Sequence, residues 1–264
     1  EEVSSFTESP GGEIEIIDVT DNSQSPIAAI LKSLKFRDDD EFTITVAQQR
    51  NTEKNVEIYH NELKTDPEQR ASISLRRAAH RQYLVRGLHY LNYHFQGLDA
   101  SQPWLCYWII NSLDILGFVP DPSENIENDK DIVPHQTLSD IVKFLSSCVD
   151  KNFGSYAGGP FQLAHLAPTY AAINAICVVG TEEAYESVDR EKIYKFLLAM
   201  KDESGGFRMH EDGELDIRAT YCALNTGYLL HLLDEKLLRN VGSFLSSCQT
   251  YEGGISAEPG NEAH

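Results

Sequence analysis

The sequence predicts an all-α protein and, within that class, an α/α toroid: a double ring of helical hairpins with a repeat of roughly fifty residues, incomplete in this chain. Three observations predict it. Amphipathic segments recur at 138–148 (LSDIVKFLSSC), 192–200 (KIYKFLLAM) and 237–248 (LLRNVGSFLSSC), with Phe144, Phe196 and Phe244 in matching places. Each is followed by a glycine turn: Gly154-Ser155-Tyr156, Gly205-Gly206-Phe207 and Gly253-Gly254-Ile255. A second kind of helix, nearly apolar all round, alternates with the first: CYWIINSLDILG, TYAAINAICVVG and TYCALNTGYLL.

The elements follow in order. Residues 1 to about 45 are polar and acidic, with a charge run at Asp38-Asp39-Asp40-Glu41, and read as solvated chain. An acidic, partly flexible extension is expected over 1–70 and a toroid portion over 71–264. From Leu75 to Leu91 the text is helical, with one glycine and no proline. A helix starts around Pro103, a good first-turn residue. The stretch from Pro120 to Gln136, rich in proline and acid, reads as an exposed loop.

Beyond it the amphipathic segments place apolar residues at i, i+3, i+4 and i+7, as in Ile193, Phe196, Leu197 and Met200, leaving one wet face. Glycines at the turns supply positive φ and stop the helices. The apolar helices align on Tyr107, Tyr170 and Tyr221, each with an asparagine four residues on: Asn111, Asn174 and Asn225. Those asparagines read as structural bridges between neighbouring inner helices.

Half-wet helices alternating with fully buried ones suit an outer and an inner ring. A linear solenoid would leave both helices of each pair a wet face. The starts of the inner helices should line one mouth of a cavity, at Trp104, Tyr107, Trp108, His165, Pro168, Tyr170, Arg218 and Tyr221. That set suits an apolar ligand with a charged head. Taken alone, Trp104 and Trp108 fit core packing as well as a ligand wall. Arg218 fits a salt bridge with Asp216 or Glu214 as well as a ligand contact, and His210 reads as a solvated loop histidine.

Composition excludes some classes. A net charge of −19 is wrong for a nucleic-acid binder. No run of apolar residues is long enough to span a membrane, and no targeting segment is expected. The five cysteines, Cys106, Cys148, Cys177, Cys222 and Cys248, form no CxxC and read as buried thiols of a reducing cytoplasm. No nucleophilic triad motif, phosphate loop with lysine, or HExxH is present.

The stretches DASQPWLCYW, HLAPTYAAINA, GTEEAYE, ELDIRATYCAL and YEGGISAEPGNEAH resemble the β subunits of protein prenyltransferases, those of the farnesyltransferases most closely. The resemblance implies an α/α toroid paired with an α subunit. It implies transfer of farnesyl from farnesyl diphosphate to the cysteine of C-terminal CaaX sequences, small GTPases among them, in the cytoplasm. Zn2+ would hold the cysteine as thiolate and Mg2+ would assist the diphosphate.

The resemblance also assigns residues. Trp104, Tyr170, Arg218, Tyr221 and His264 would line the isoprenoid site, with His264 stabilising the diphosphate. Ala100, Ser101, Trp104, Trp108, His165, Ala167 and Pro168 would contact the peptide. Trp104 would limit the chain length of the isoprenoid. The family's zinc ligands, an aspartate and a cysteine close together and a later histidine, are expected beyond residue 264. No metal ligand is therefore expected in this chain, which is expected to be truncated. The alternatives are a geranylgeranyltransferase type I β subunit and a non-catalytic prenyl- or peptide-binding toroid. A triterpene cyclase would need an Asp-x-Asp-Asp motif, which is absent.

Overall fold

The computed structural model describes residues 44–68, 74–121, 131–251 and 253–263. The chain divides into two compact units, Glu1–Ser74 and Leu75–His264. In the first, α1 (Ile44–Thr65) is a polar helix held by local bonds such as Gln49 Nε2 to Glu53 Oε1 at 2.8 Å. It lies in the expected 1–70 extension, past the stretch read as solvated chain. The acidic run at 38–41 lies outside the described residues.

The second unit is helical, and among its described residues strand pairing is confined to isolated bridges. Its first helix, α2 (Arg77–His89), stops two residues short of the expected Leu91. A kinked 3-10 segment, Tyr93–Ser101, leads into α3 (Gln102–Ile115), which has Pro103 in its first turn. Then come α4 (His135–Ser147), α5 (Leu166–Val179), α6 (Glu182–Glu186), α7 (Arg190–Met200), α8 (Ile217–Leu229), α9 (Glu235–Leu238) and α10 (Val241–Ser247). The expected 120–136 loop ends earlier than its composition suggests, because α4 starts at His135; residues 122–130 of it lie outside the described residues.

The two helix classes separate as their patterns require. The amphipathic α4 buries Leu138, Ile141, Val142 and Leu145, and α7 buries Ile193, Phe196, Leu197 and Met200. The apolar α5 lies between α3 and α8 and buries nine of its fourteen residues. Its large buried side chains, Leu166, Ile173, Ile176 and Val179, contribute about 1.5–3 kcal/mol each.

Each outer-to-inner connection folds the same way. Bridges pair Val149 with Tyr156 and Ala157 with Ala164, then Lys201 with Phe207 and Arg208 with Leu215, then Gln249 with Ile255 and Ser256 with Ala263. The turn glycines Gly154, Gly205 and Gly253 all have positive φ, the conformation in which a Cβ is costly.

A hydrogen bond then joins each inner helix to the next connection. The first residue of α3, Gln102, donates its N–H to Gly158 O at 2.8 Å; Leu166 of α5 does so to Met209 O at 2.8 Å, and Ile217 of α8 to Ala257 O at 2.9 Å. Three of the amides that a helix start leaves unpaired are used to fix one repeat against the next.

Two expectations need correction. The third amphipathic segment is broken: α9 and α10 are separated at Arg239 and Asn240, and Asn240 has φ 61°. Asparagine tolerates that conformation, and Gly205 packs so closely on Asn240 O that a Cβ would collide with it. Moreover, only α5 among the inner helices is buried nearly all round. Trp108 and Ile115 of α3 and Tyr221 and Tyr228 of α8 are exposed, because each of these helices has an inner neighbour on one side only among the described residues.

Candidate functional site

The site is assembled at the N-terminal ends of α3, α5 and α8. Two of the three starts are capped by the residue before them. His165 Nδ1 accepts the Ala167 N–H at 3.1 Å, and the Asp216 carboxylate accepts the Arg218 N–H at 2.6 Å. Ser101, before α3, makes no side-chain cap. Below the caps, Thr169 and Thr220 tie the helices to their connections. The Thr169 hydroxyl donates to His165 O at 2.8 Å and accepts from Tyr156 N at 3.2 Å, while Thr220 accepts from Phe207 N at 3.2 Å.

On this frame four rings form a continuous arc across the three helices. Trp104 lies 5.3 Å from Tyr170 between ring centroids, and Tyr170 lies 5.5 Å from Tyr221. Tyr107 meets Tyr170 edge-on at 6.1 Å. Trp108 extends the arc along α3, 5.5 Å from Trp104. None of these five side chains is fully buried. Trp108 and Tyr221 are exposed, while Trp104, Tyr107 and Tyr170 are half-buried, the last two packed against the core. Behind the wall, Asn174 Nδ2 donates to Asn225 Oδ1 at 3.1 Å, so two of the repeated asparagines do bridge α5 and α8.

The wall carries few charges. Burial, then hydrogen bonding with Tyr221 and Tyr107, pushes the Tyr170 phenol up, so it stays neutral and can donate. Arg218 binds Asp216 through Nε and Nη2 and has its basicity raised by that partner. Asp216 is buried, yet the Arg218 side chain is 55% exposed. The salt-bridge reading of Arg218 thus holds with Asp216 as the partner, and the guanidinium keeps an exposed side. His165 is held below the ordinary histidine range by burial, then by His210, with Glu214 acting the other way.

The expected peptide residues gather here too. Ala100, Ser101, Trp104 and Trp108 lie at the start of α3 and His165, Ala167 and Pro168 at the start of α5. Gly158 brings the groups together: it packs on Ala100 so tightly that a Cβ would collide with the Ala100 carbonyl. Pro168 is buried, whereas Ala167 and His165 are half-buried. His264 lies outside the described residues.

A separate hollow lies away from the arc. A cavity of about 500 Å³ lies between α2, the 3-10 segment, α3 and α4. It uses the Leu105, Cys106 and Ile109 stripe of α3, not the aromatic one. A 300 Å³ neighbour reaches Trp108. The aromatic arc is an open face among the described residues, not the enclosed pit that a ring of inner helices implies.

Sequence reasoning missed two features beside the site. Asp216 was considered only as a salt-bridge partner, although it caps α8; its equivalence to the cap His165, one repeat earlier, was the available signal. His210, read as a solvated loop residue, is half-buried, its ring 5.4 Å from that of His165 and tilted to it; nothing in the sequence marked it.

Among the described residues no group of three or more His, Cys, Asp or Glu side chains could hold a metal ion. The cysteines are free thiols, and burial pushes those of Cys106 and Cys222 up to about 12, far from thiolate chemistry. No described helix is long and apolar enough to cross a membrane.

Residues 75–264 match the model of the prenyltransferase alpha-alpha toroid domain. The chain belongs to that family. A protein farnesyltransferase subunit beta from Arabidopsis thaliana is 44% identical over 196 residues, covering 74% of this chain and 38% of the relative. A geranylgeranyl transferase type-1 subunit beta from the same plant is 26% identical over 210 residues, covering 73% and 54%. Among solved structures, Candida albicans protein geranylgeranyltransferase-I complexed with GGPP superposes with a TM-score of 0.58 at 20% identity, covering 73% of this chain and 56% of that one. That likeness shows the toroid fold alone. The chain spans about two fifths of the length of the farnesyltransferase relative.

Proposed function

We propose that this chain forms part of the β subunit of a protein farnesyltransferase, which with an α subunit transfers farnesyl from farnesyl diphosphate to the cysteine of a CaaX-ended protein such as a small GTPase. The observation that carries the reading is the aromatic arc of Trp104, Tyr107, Tyr170 and Tyr221. The higher identity to a farnesyltransferase than to a geranylgeranyl relative supports it. Five free cysteines are consistent with a reducing, cytoplasmic setting.

In this reading the chain's own residues bind and orient. The arc offers an apolar wall along which an isoprenoid can lie with little ordered water. Arg218, anchored by Asp216, presents a fixed cation where a diphosphate or a peptide carboxylate develops or carries charge. The starts of α3 and α5, with Ala100, Ser101, Trp108, His165, Ala167 and Pro168, offer the adjacent peptide wall. His264 is expected at the diphosphate. The zinc and magnesium that accompany this reaction do not fit the described residues, which bring no ligand set together, and no step is assigned to either.

The test is Trp104→Thr in the complex with the α subunit. A smaller wall should raise use of geranylgeranyl over farnesyl diphosphate by about tenfold or more. Unchanged lipid preference would remove Trp104 as the length-limiting residue. A complex that binds CaaX peptides and prenyl diphosphates without transfer would favour the non-catalytic toroid.

A further inference from the structure

The connection between α7 and α8 carries a histidine that prenyl transfer leaves unused. The His210 ring lies 5.4 Å from the His165 ring, tilted by 37°. It also lies against Gly213, where a Cβ would stand 2.9 Å from three ring atoms. Only glycine lets the loop close over this imidazole. His210 Nδ1 is 2.8 Å from Glu211 O, to which it can only donate, and Nε2 is 3.8 Å from the Glu214 carboxylate. His210 therefore has an acceptor near each nitrogen.

His165 has the opposite need. Its Nδ1 accepts the Ala167 N–H that starts α5, so that nitrogen must stay bare and Nε2 carries the proton. A second proton on His165 would have to go to Nδ1. It would abolish the cap, and it would put a cation at the positive end of α5. Glu214 is the carboxylate shown facing the pair; Glu211, Asp212 and Arg208 belong to the same connection, and Asp216 pairs with Arg218 at the start of α8. Arg208 is occupied by Gly213 O at 2.9 Å and Asp202 at 3.1 Å. The helix α5 itself carries no charged side chain.

We propose that His210 is a positioning residue: it braces the His165 ring, and its charge opposes a second proton on His165, so the start of α5 keeps its cap. The tilted pair thus makes His210 a guard of the wall formed by His165, Ala167 and Pro168. That this wall meets a CaaX peptide rests on the function proposed above; the coupling between the two imidazoles does not.

Two measurements on His210→Phe separate these layers. In the full chain, the His165 ring is followed by NMR as pH is lowered. Phenylalanine keeps a ring against His165 but carries no charge, so His165 should titrate at higher pH than in the wild type. In the complex with the α subunit, KM for a CaaX peptide near pH 6 should rise about threefold or more over wild type, with the farnesyl diphosphate KM and the kcat near pH 8 unchanged. His210→Asn, whose amide can still donate to Glu211 O, should shift the His165 titration the same way if the phenylalanine variant fails to fold. A His165 titration unmoved in the folded variants would overturn the proposal. A shifted titration without any change in peptide KM would keep the coupling and overturn the peptide role.

Discussion

Helices α2 and α5 are nearly equal in length, yet they are held in different ways. None of the residues of α2 is fully buried. It is attached at its start by cations: Arg77 bonds Leu116 O, Arg81 bonds Asp131 O at 2.5 Å, and both guanidiniums lie 5.6 Å from the Phe118 ring. Near its end Gly87 faces Ile109, where a Cβ would stand 3.1 Å away. By contrast, α5 has a histidine cap, a left-handed Gly180 at its end, and inner neighbours on both sides. A helix in this fold takes its stability from the walls it stands between, not from its own pattern. Of the three helices that carry the site, α5 is of this second kind.

The contrast should be largest in the core. Ile173→Ala in α5, fully buried, should cost about 2–5 kcal/mol, whereas Val85→Ala in α2, half-buried, should cost about 1 kcal/mol or less. Urea unfolding of both variants measures the gap, and equal losses would break the comparison. Next in size, Gly158→Ala should cost about 1–3 kcal/mol by forcing Gly158 off the Ala100 carbonyl. Thermal unfolding checks the loss. Quenching of fluorescence from Trp104 and Trp108 should also change, since the start of α3 loses its partner. The smallest effect should have the opposite sign. Thr226 of α8 has a buried hydroxyl with no hydrogen-bond partner among the described residues. Thr226→Val should be neutral or stabilise by up to about 1 kcal/mol, and a clear fall in melting temperature would reveal a partner for that oxygen.

These expectations also show why the sequence was readable in some places and opaque in others. The repeat was legible because α4, α7 and α10 reuse one apolar stripe, and Gly154, Gly205 and Gly253 reuse one backbone conformation. The aromatic arc was legible in part, because Tyr170 and Tyr221 recur at the same helical position. The break at Asn240 was not legible, because an apolar pattern does not reveal which residue will turn left-handed against a neighbouring glycine.

By itself, then, the sequence determined the helix classes, the turns and the identity of the rings, since periodicity, glycine φ and side-chain chemistry are local properties. Only the tertiary structure decided that Trp104 faces Tyr170, that Asp216 holds Arg218, and that His210 covers His165. Those pairings join residues from different repeats or fix a rotamer. They depend on the bonds from Gln102, Leu166 and Ile217 to the following connections, which set how far each repeat is turned from the last.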